Sequence, residues 1–159
     1  MGTSDPDNPD AVASLLAIKQ RPVEKGLILL AGDVGQLAGL VDWDALPSAH
    51  RDLVLGSWPG PHTWVVPATA KVPAWITGAH PAVAARVSAH PVAARLSRGF
   101  GVPLVSTSAN LSGQPPARTR EALDPALLSK LDAVAPGETG GLAAPTPIRD
   151  AGDLGTLRS

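Results

Sequence analysis

The chain has 159 residues, 44% hydrophobic and 17% charged, with a formal net charge of −1 and no cysteine. That length suits one domain, residues 1–159, with a genuine core, and the lack of cysteine excludes disulfides, thiolate nucleophiles and cysteine-ligated zinc. No stretch approaches the ~20 apolar residues of a membrane helix, and the first ten residues hold no basic or apolar run of the kind that opens a signal peptide, so a cytoplasmic protein with no membrane partner is expected.

In chain order, the first predicted element is a helix from about Pro9 to Lys19. Asn8 or Asp7 can cap it, Pro9 suits its first position and Asp10 favours its positive end. Arg21-Pro22 ends it, and Gly26 to Ala31 reads as a buried strand. Short helices are expected from Asp33 to about Val41 and from Pro47 to about Trp58. His62–Val66 and Val83–Val87 read as strands joined by a Pro-rich connection. A helix over Pro91–Arg98 is closed by Gly99, and Pro103–Thr107 is a strand running into the polar loop 108–113. Thr119 caps a helical stretch interrupted by Pro125, Ala133–Ala135 reads as a brief strand, and 137–141 is a Gly-rich loop. Thr146–Asp150 is expected to be the last edge strand, before a short tail from Gly155. Strands alternating with short, uneven crossovers predict an α/β fold, a layered mixed sheet flanked by helices.

Charge is distributed unevenly. Residues 1–52 carry eight acidic and four basic side chains, and 121–159 carry six acidic and three basic. Residues 53–120 carry six cations (Lys71, Arg86, Arg95, Arg98, Arg118 and Arg120) and no carboxylate. Such a stretch suggests an anionic ligand, or arginines that merely solubilise helix faces.

Familiar catalytic signatures are missing. There is no Walker loop, no Gly-x-Gly-x-x-Gly and no Gly-x-Ser-x-Gly. His50, His62, His80 and His90 lack metal-site spacing and read as structural. Two segments carry more chemistry. Lys19-Gln20-Arg21, with Lys25 behind, sets cations where a helix gives way to a strand; they could hold an anion or simply complement the helix C-terminus. Ser106 to Asn110 follows an apolar strand, the place where sheets of this class bind ligands, or it is an ordinary Ser/Asx turn. Together they suggest phosphate binding by positioning and charge, without an evident general base.

Lys19-x-Arg21 paired with Ser108-x-Asn110 resembles the defining tetrad of the YrdC-like family, the threonylcarbamoyl-AMP synthases, and most closely their short bacterial branch. Segments 19–28, 58–63, 85–91, 104–113, 136–141 and 148–150 agree in order, so the resemblance spans essentially the whole chain. It implies a twisted mixed sheet with a positive groove, and synthesis of threonylcarbamoyl-AMP and pyrophosphate from L-threonine, bicarbonate and ATP with Mg²⁺. Partner proteins would then pass the threonylcarbamoyl group to an adenosine of tRNA.

The resemblance also implies roles. Lys19, Arg21, Ser108 and Asn110 would be catalytic. Lys19, Arg21, Lys25, Ser108, Ala109, Asn110 and Arg158 would bind the nucleotide, and Arg86, Thr107 and Thr146 the threonine. Replacing Lys19 or Arg21 by Ala would abolish adenylate formation with little change in folding. Family members begin with a helix and a strand carrying Pro-Thr-Glu, which is missing before Met1. The chain therefore reads as N-terminally truncated, and an upstream extension is expected to raise stability and activity. The alternatives are a double-stranded or ribosomal RNA-binding protein, for which the basic stretch offers few aromatics to stack on, Trp64, Trp75 and Phe100 among them, and a catalytically silent relative.

Overall fold

Asn8, Pro9 and Asp10 start the first helix as their side chains dictate. In the computed structural model, which describes residues 1–3, 5–137 and 146–158, α1 spans Pro9–Lys19. Asn8 Oδ1 accepts from the Ala11 N–H at 3.1 Å, satisfying one of the helix's unpaired donors. The helix stops at Gln20, whose left-handed backbone (φ 51°) lets the Arg21 N–H turn back onto the Leu16 carbonyl at 3.0 Å. Lys19 and Arg21 therefore flank a sharp reversal of the chain.

The remaining elements are β1 (Gly2–Thr3), β2 (Ile28–Ala31), α2 (Ser48–Gly56), β3 (Thr63–Pro67), α3 (Ala74–Thr77), β4 (Ala82–Val87), α4 (Pro91–Phe100), β5 (Leu104–Ser106), α5 (Pro125–Leu128), β6 (Ile148–Asp150) and β7 (Thr156–Arg158). The seven strands form one mixed sheet in the order β1-β5-β2-β4-β3-β6-β7. The β2–β4 and β3–β6 pairs are parallel and the other four antiparallel. A layered α/β sheet flanked by helices is thus what the sequence predicted.

Strand register gives the sheet two unlike faces, because side chains alternate along each strand. Val105, Leu29, Ala85 and Trp64 align across β5, β2, β4 and β3 on one face, each no more than 1% exposed. They join Val12 and Leu15 of α1, Val54 of α2 and Leu37 in a single apolar core. Trp64 Nε1 donates to Ser57 Oγ at the end of α2 (2.9 Å), and the Arg149 guanidinium lies 5.7 Å from the Trp64 ring centre. On the other face Ser106, Ile28, Ala84, Val65 and Asp150 align across five strands. That row is only half-buried.

Several expectations need correction. The helix expected over Asp33–Val41 shrinks to a 3₁₀ turn at Val34–Leu37, in a segment broken by Gly39 at φ 76°. α4 runs past Gly99 to Phe100, since Gly101, at φ 80°, accepts the left-handed backbone that closes the helix. The Pro-rich connection before β4 contains the short helix α3. Ala133–Ala135 is exposed and forms no strand; three apolar residues without a pairing partner do not hold one. Thr119 Oγ1 caps only a turn at Ala122, and the helix itself is α5, capped by Asp124. β6 lies inside the sheet because the predicted tail forms β7 beyond it. No strand was expected before α1, yet Gly2–Thr3 pair with β5 as a two-residue edge strand. The Gly-rich loop 137–141 lies outside the described residues beyond Gly137.

Candidate functional site

The half-buried face of the sheet is the floor of a cavity of about 510 Å³, a size suited to a small-molecule ligand. Ile28, Ala82, Ala84 and Val65 form the floor, and the two alanines keep it open. Ser106, Thr107 and Ser108 close one end, Asp150 and Leu157 the other. One wall carries Arg21, Lys25 and Gly26; the wall adjoining it is α3 and the turn after it, with Ile76, Thr77, His80 and Pro81.

The structure brings the two sequence segments together. Lys19 is 3% exposed, and its Nζ donates to Ser108 Oγ at 3.3 Å, to Asn110 Oδ1 at 2.7 Å and to the Asn110 carbonyl. Residues some ninety positions apart thus meet at the carboxyl end of β5. The loop is tied further by the Ser112 N–H on the Lys19 carbonyl (3.2 Å) and by Asn110 Nδ2 on the Gln114 carbonyl. Lys19 is a buried pin for the 108–110 loop, rather than a cation decorating a helix end. The expectation that its loss leaves folding little changed does not fit this burial.

Arg21 is oriented by backbone. Its Nε donates to the Gly26 carbonyl and its Nη2 to the Lys25 carbonyl, both at 3.1 Å. Lys25 is exposed at the cavity wall. Met1 brackets Thr107, accepting its N–H at 2.8 Å and donating its amine to the Thr107 carbonyl at 2.9 Å. Burial, and secondarily the Lys19 charge, lower the pKa of that amine.

A second cluster lies one row along the same face. Arg86, two residues beyond Ala84 on β4, donates from Nη1 to Thr146 Oγ1 at 2.8 Å. Burial lowers the pKa of its guanidinium, which stays charged near neutral pH because an arginine starts so high. Its Nε is buried and has no hydrogen-bond partner among the described residues. An orphaned charged donor is costly in a folded protein and is ready for an anionic acceptor. Arg86, Thr146, Lys19, Ala109 and Asn110 do not line the 510 Å³ cavity itself; they lie beside it. Arg158 belongs to β7, and its side chain lies outside what is described.

Of the histidines, His50 Nδ1 bonds the Ala151 carbonyl at 2.9 Å and His90 Nδ1 caps α4, the structural uses expected. His80 instead lines the cavity. Sequence reasoning missed the α3 wall and the alanine floor; the alternation Ala82-x-Ala84-x-Arg86 was the available signal. No group of three His, Cys, Asp or Glu among the described residues could hold a metal ion. Nor is any described helix long and apolar enough to cross a membrane.

A family model described as Telomere recombination (Sua5/YciO/YrdC) matches residues 3–158. The chain belongs to the Sua5/YciO/YrdC family. A threonylcarbamoyl-AMP synthase of Xanthomonas euvesicatoria pv. vesicatoria (strain 85-10) is 60% identical over 147 residues, covering 92% of this chain and 79% of that one. Another, from Stenotrophomonas maltophilia (strain K279a), is 57% identical over 155 residues, covering 98% and 83%. Among solved structures, P. abyssi Sua5 complexed with L-threonine superposes with a TM-score of 0.84 at 29% identity. That match covers 94% of this chain, which spans 43% of the larger protein.

Proposed function

We propose that this chain is an L-threonylcarbamoyladenylate synthase, joining L-threonine, bicarbonate and ATP into threonylcarbamoyl-AMP with release of pyrophosphate. The observation that carries the reading is the convergence of Lys19, Arg21 and Lys25 with the Ser108–Asn110 loop at one end of an open trough. Relatives 57–60% identical that are threonylcarbamoyl-AMP synthases support it as well.

In this reading the threonine amine takes up carbon dioxide from bicarbonate to give a carbamate. A carbamate oxygen attacks the α-phosphorus, and the bond to the bridging oxygen of the β-phosphate breaks. Negative charge grows on the departing pyrophosphate, where Arg21 and Lys25 face it and Lys19 adds a buried positive charge behind the loop. No general base is required at phosphorus, because the attacking carbamate is already an anion. Arg86 holds the threonine carboxylate: its buried Nε, without a partner among the described residues, supplies one tooth of the fork, and Thr146 fixes the plane. Thr107, Ser108, Ala109 and Asn110 line the junction between threonine and nucleotide, and Arg158 reaches the nucleotide.

Mg²⁺ fits as part of the substrate. Among the described residues that line the cavity Asp150 is the one carboxylate, too few for a protein cage, and Mg²⁺ commonly rides on phosphates with its remaining sites hydrated. The product is a mixed carbamic–phosphoric anhydride, suited to transfer onto a tRNA adenosine by partner proteins. RNA binding as the main role finds less support, since Trp64 is buried in the core and Trp75 is half-buried, donating to the Pro6 carbonyl. Neither is placed to stack on a base, and Phe100, exposed at the end of α4, is a single ring rather than a stacking platform.

Pyrophosphate release by this chain with ATP, Mg²⁺ and bicarbonate, with and without L-threonine, tests the reading. Threonine-dependent release supports it, and release independent of threonine, or none from folded protein, overturns it.

A further inference from the structure

The two walls of the cavity touch through bare backbone. Gly26, at φ 62°, ends the turn Val23–Lys25, and Gly78, at φ 67°, ends α3. The Leu27 N–H bonds the Ile76 carbonyl at 2.9 Å, and the Ala79 N–H bonds the Glu24 carbonyl at 3.2 Å. The fit leaves no room for a side chain. A Cβ on Gly78 would lie 2.4 Å from the Glu24 carbonyl oxygen and 2.6 Å from the Gly26 nitrogen, and a Cβ on Gly26 would lie 2.9 Å from the Thr77 oxygen.

The carbonyls at Lys25 and Gly26 that this crossing holds in place both accept from Arg21. We infer that Gly78 is a positioning residue for the nucleotide: by its close crossing with Gly26 it sets the Lys25 and Gly26 carbonyls, and through them the Arg21 guanidinium. The inference rests on the synthase reading. Ordinary contact begins near 3.4 Å, so a methyl group at position 78 displaces the 24–26 backbone by about 1 Å, a misplacement that can cost on the order of a hundredfold in rate. Arg86 and Thr146 lie on other elements and are untouched, so the defect is confined to ATP.

The test is a double-mutant cycle on Gly78→Ala and Arg21→Ala, with kcat and KM measured separately for ATP and for threonine below the melting temperature of every variant. Gly101→Ala is the control for a side chain at positive φ without a clash: Gly101 sits at φ 80° in the αL region that closes α4 and meets nothing within 4 Å. Gly26→Ala, which perturbs the crossing from its other side, runs in parallel in case Gly78→Ala does not fold.

Gly78→Ala should lower kcat/KM for ATP roughly ten- to a hundredfold, leave the threonine KM unchanged, and add under about threefold once Arg21 is gone. Gly101→Ala should lower the melting temperature and keep wild-type kinetics. Additive losses, or equal damage to ATP and threonine kinetics, overturn the inference. ATP affinity by calorimetry on the same variants separates the two ideas. Wild-type ATP binding without threonine-dependent turnover overturns the synthase reading alone, and additive loss of ATP affinity overturns the role of Gly78 alone.

Discussion

Replacing Lys19 should damage the fold and the chemistry together. Lys19 is 3% exposed, and its ammonium donates to Ser108 Oγ, Asn110 Oδ1 and the Asn110 carbonyl. A hydrogen bond to a charged group contributes about 1.5–3 kcal/mol, but Lys19→Ala also removes the cost of burying that charge. The net loss of stability is therefore roughly 2 kcal/mol, well below the sum of three such bonds. At about 2–4 °C per kcal/mol for a domain of this size, the melting temperature should fall by roughly 4–8 °C. Loss of the charge from the transition state adds a rate decrease of about ten- to a hundredfold. Lys19→Met separates the two effects, since it keeps most of the apolar stem. It should recover part of the melting temperature and none of the activity. Thermal unfolding by circular dichroism and threonine-dependent pyrophosphate release are the two assays. A Lys19→Ala protein that melts with wild type refutes the buried pin, and one that retains activity within threefold refutes its place in the site.

Arg86→Lys keeps the charge but loses the planar fork, so the threonine KM should rise about tenfold or more while the ATP KM stays within about twofold. An equal rise in both constants counts against the carboxylate role. Ala84→Leu fills the middle of the trough from its floor; turnover should fall over about a hundredfold with the melting temperature within about 3 °C of wild type, and retained turnover would show that substrate lies elsewhere. Trp64→Ala empties the opposite, buried face and should cost about 3–5 kcal/mol, lowering the melting temperature by roughly 6–20 °C. A loss smaller than that would mean the core closes over the gap.

What the sequence made legible divides along a physical line. α1 was readable to the residue because its ends are set by local chemistry: Asn8 and Pro9 at one, the Gln20–Pro22 reversal at the other. The central strands were readable from apolar runs. β1, α3 and β7 were not: Gly2–Thr3 and Thr156–Arg158 hold no apolar run, α3 is one turn between a proline and Gly78, and all three exist through their neighbours. β7 in particular forms because β6 offers an open edge, a fact of the sheet and not of residues 156–158. The site divides the same way. Lys19, Arg21, Ser108 and Asn110 carry charge or hydrogen-bonding groups that the eye can find, whereas the floor is alanine and the hinge between the walls is glycine. Ala84 and Gly78 matter for the atoms they lack, and such residues become visible only when the strands and turns that would collide with a larger side chain are in place.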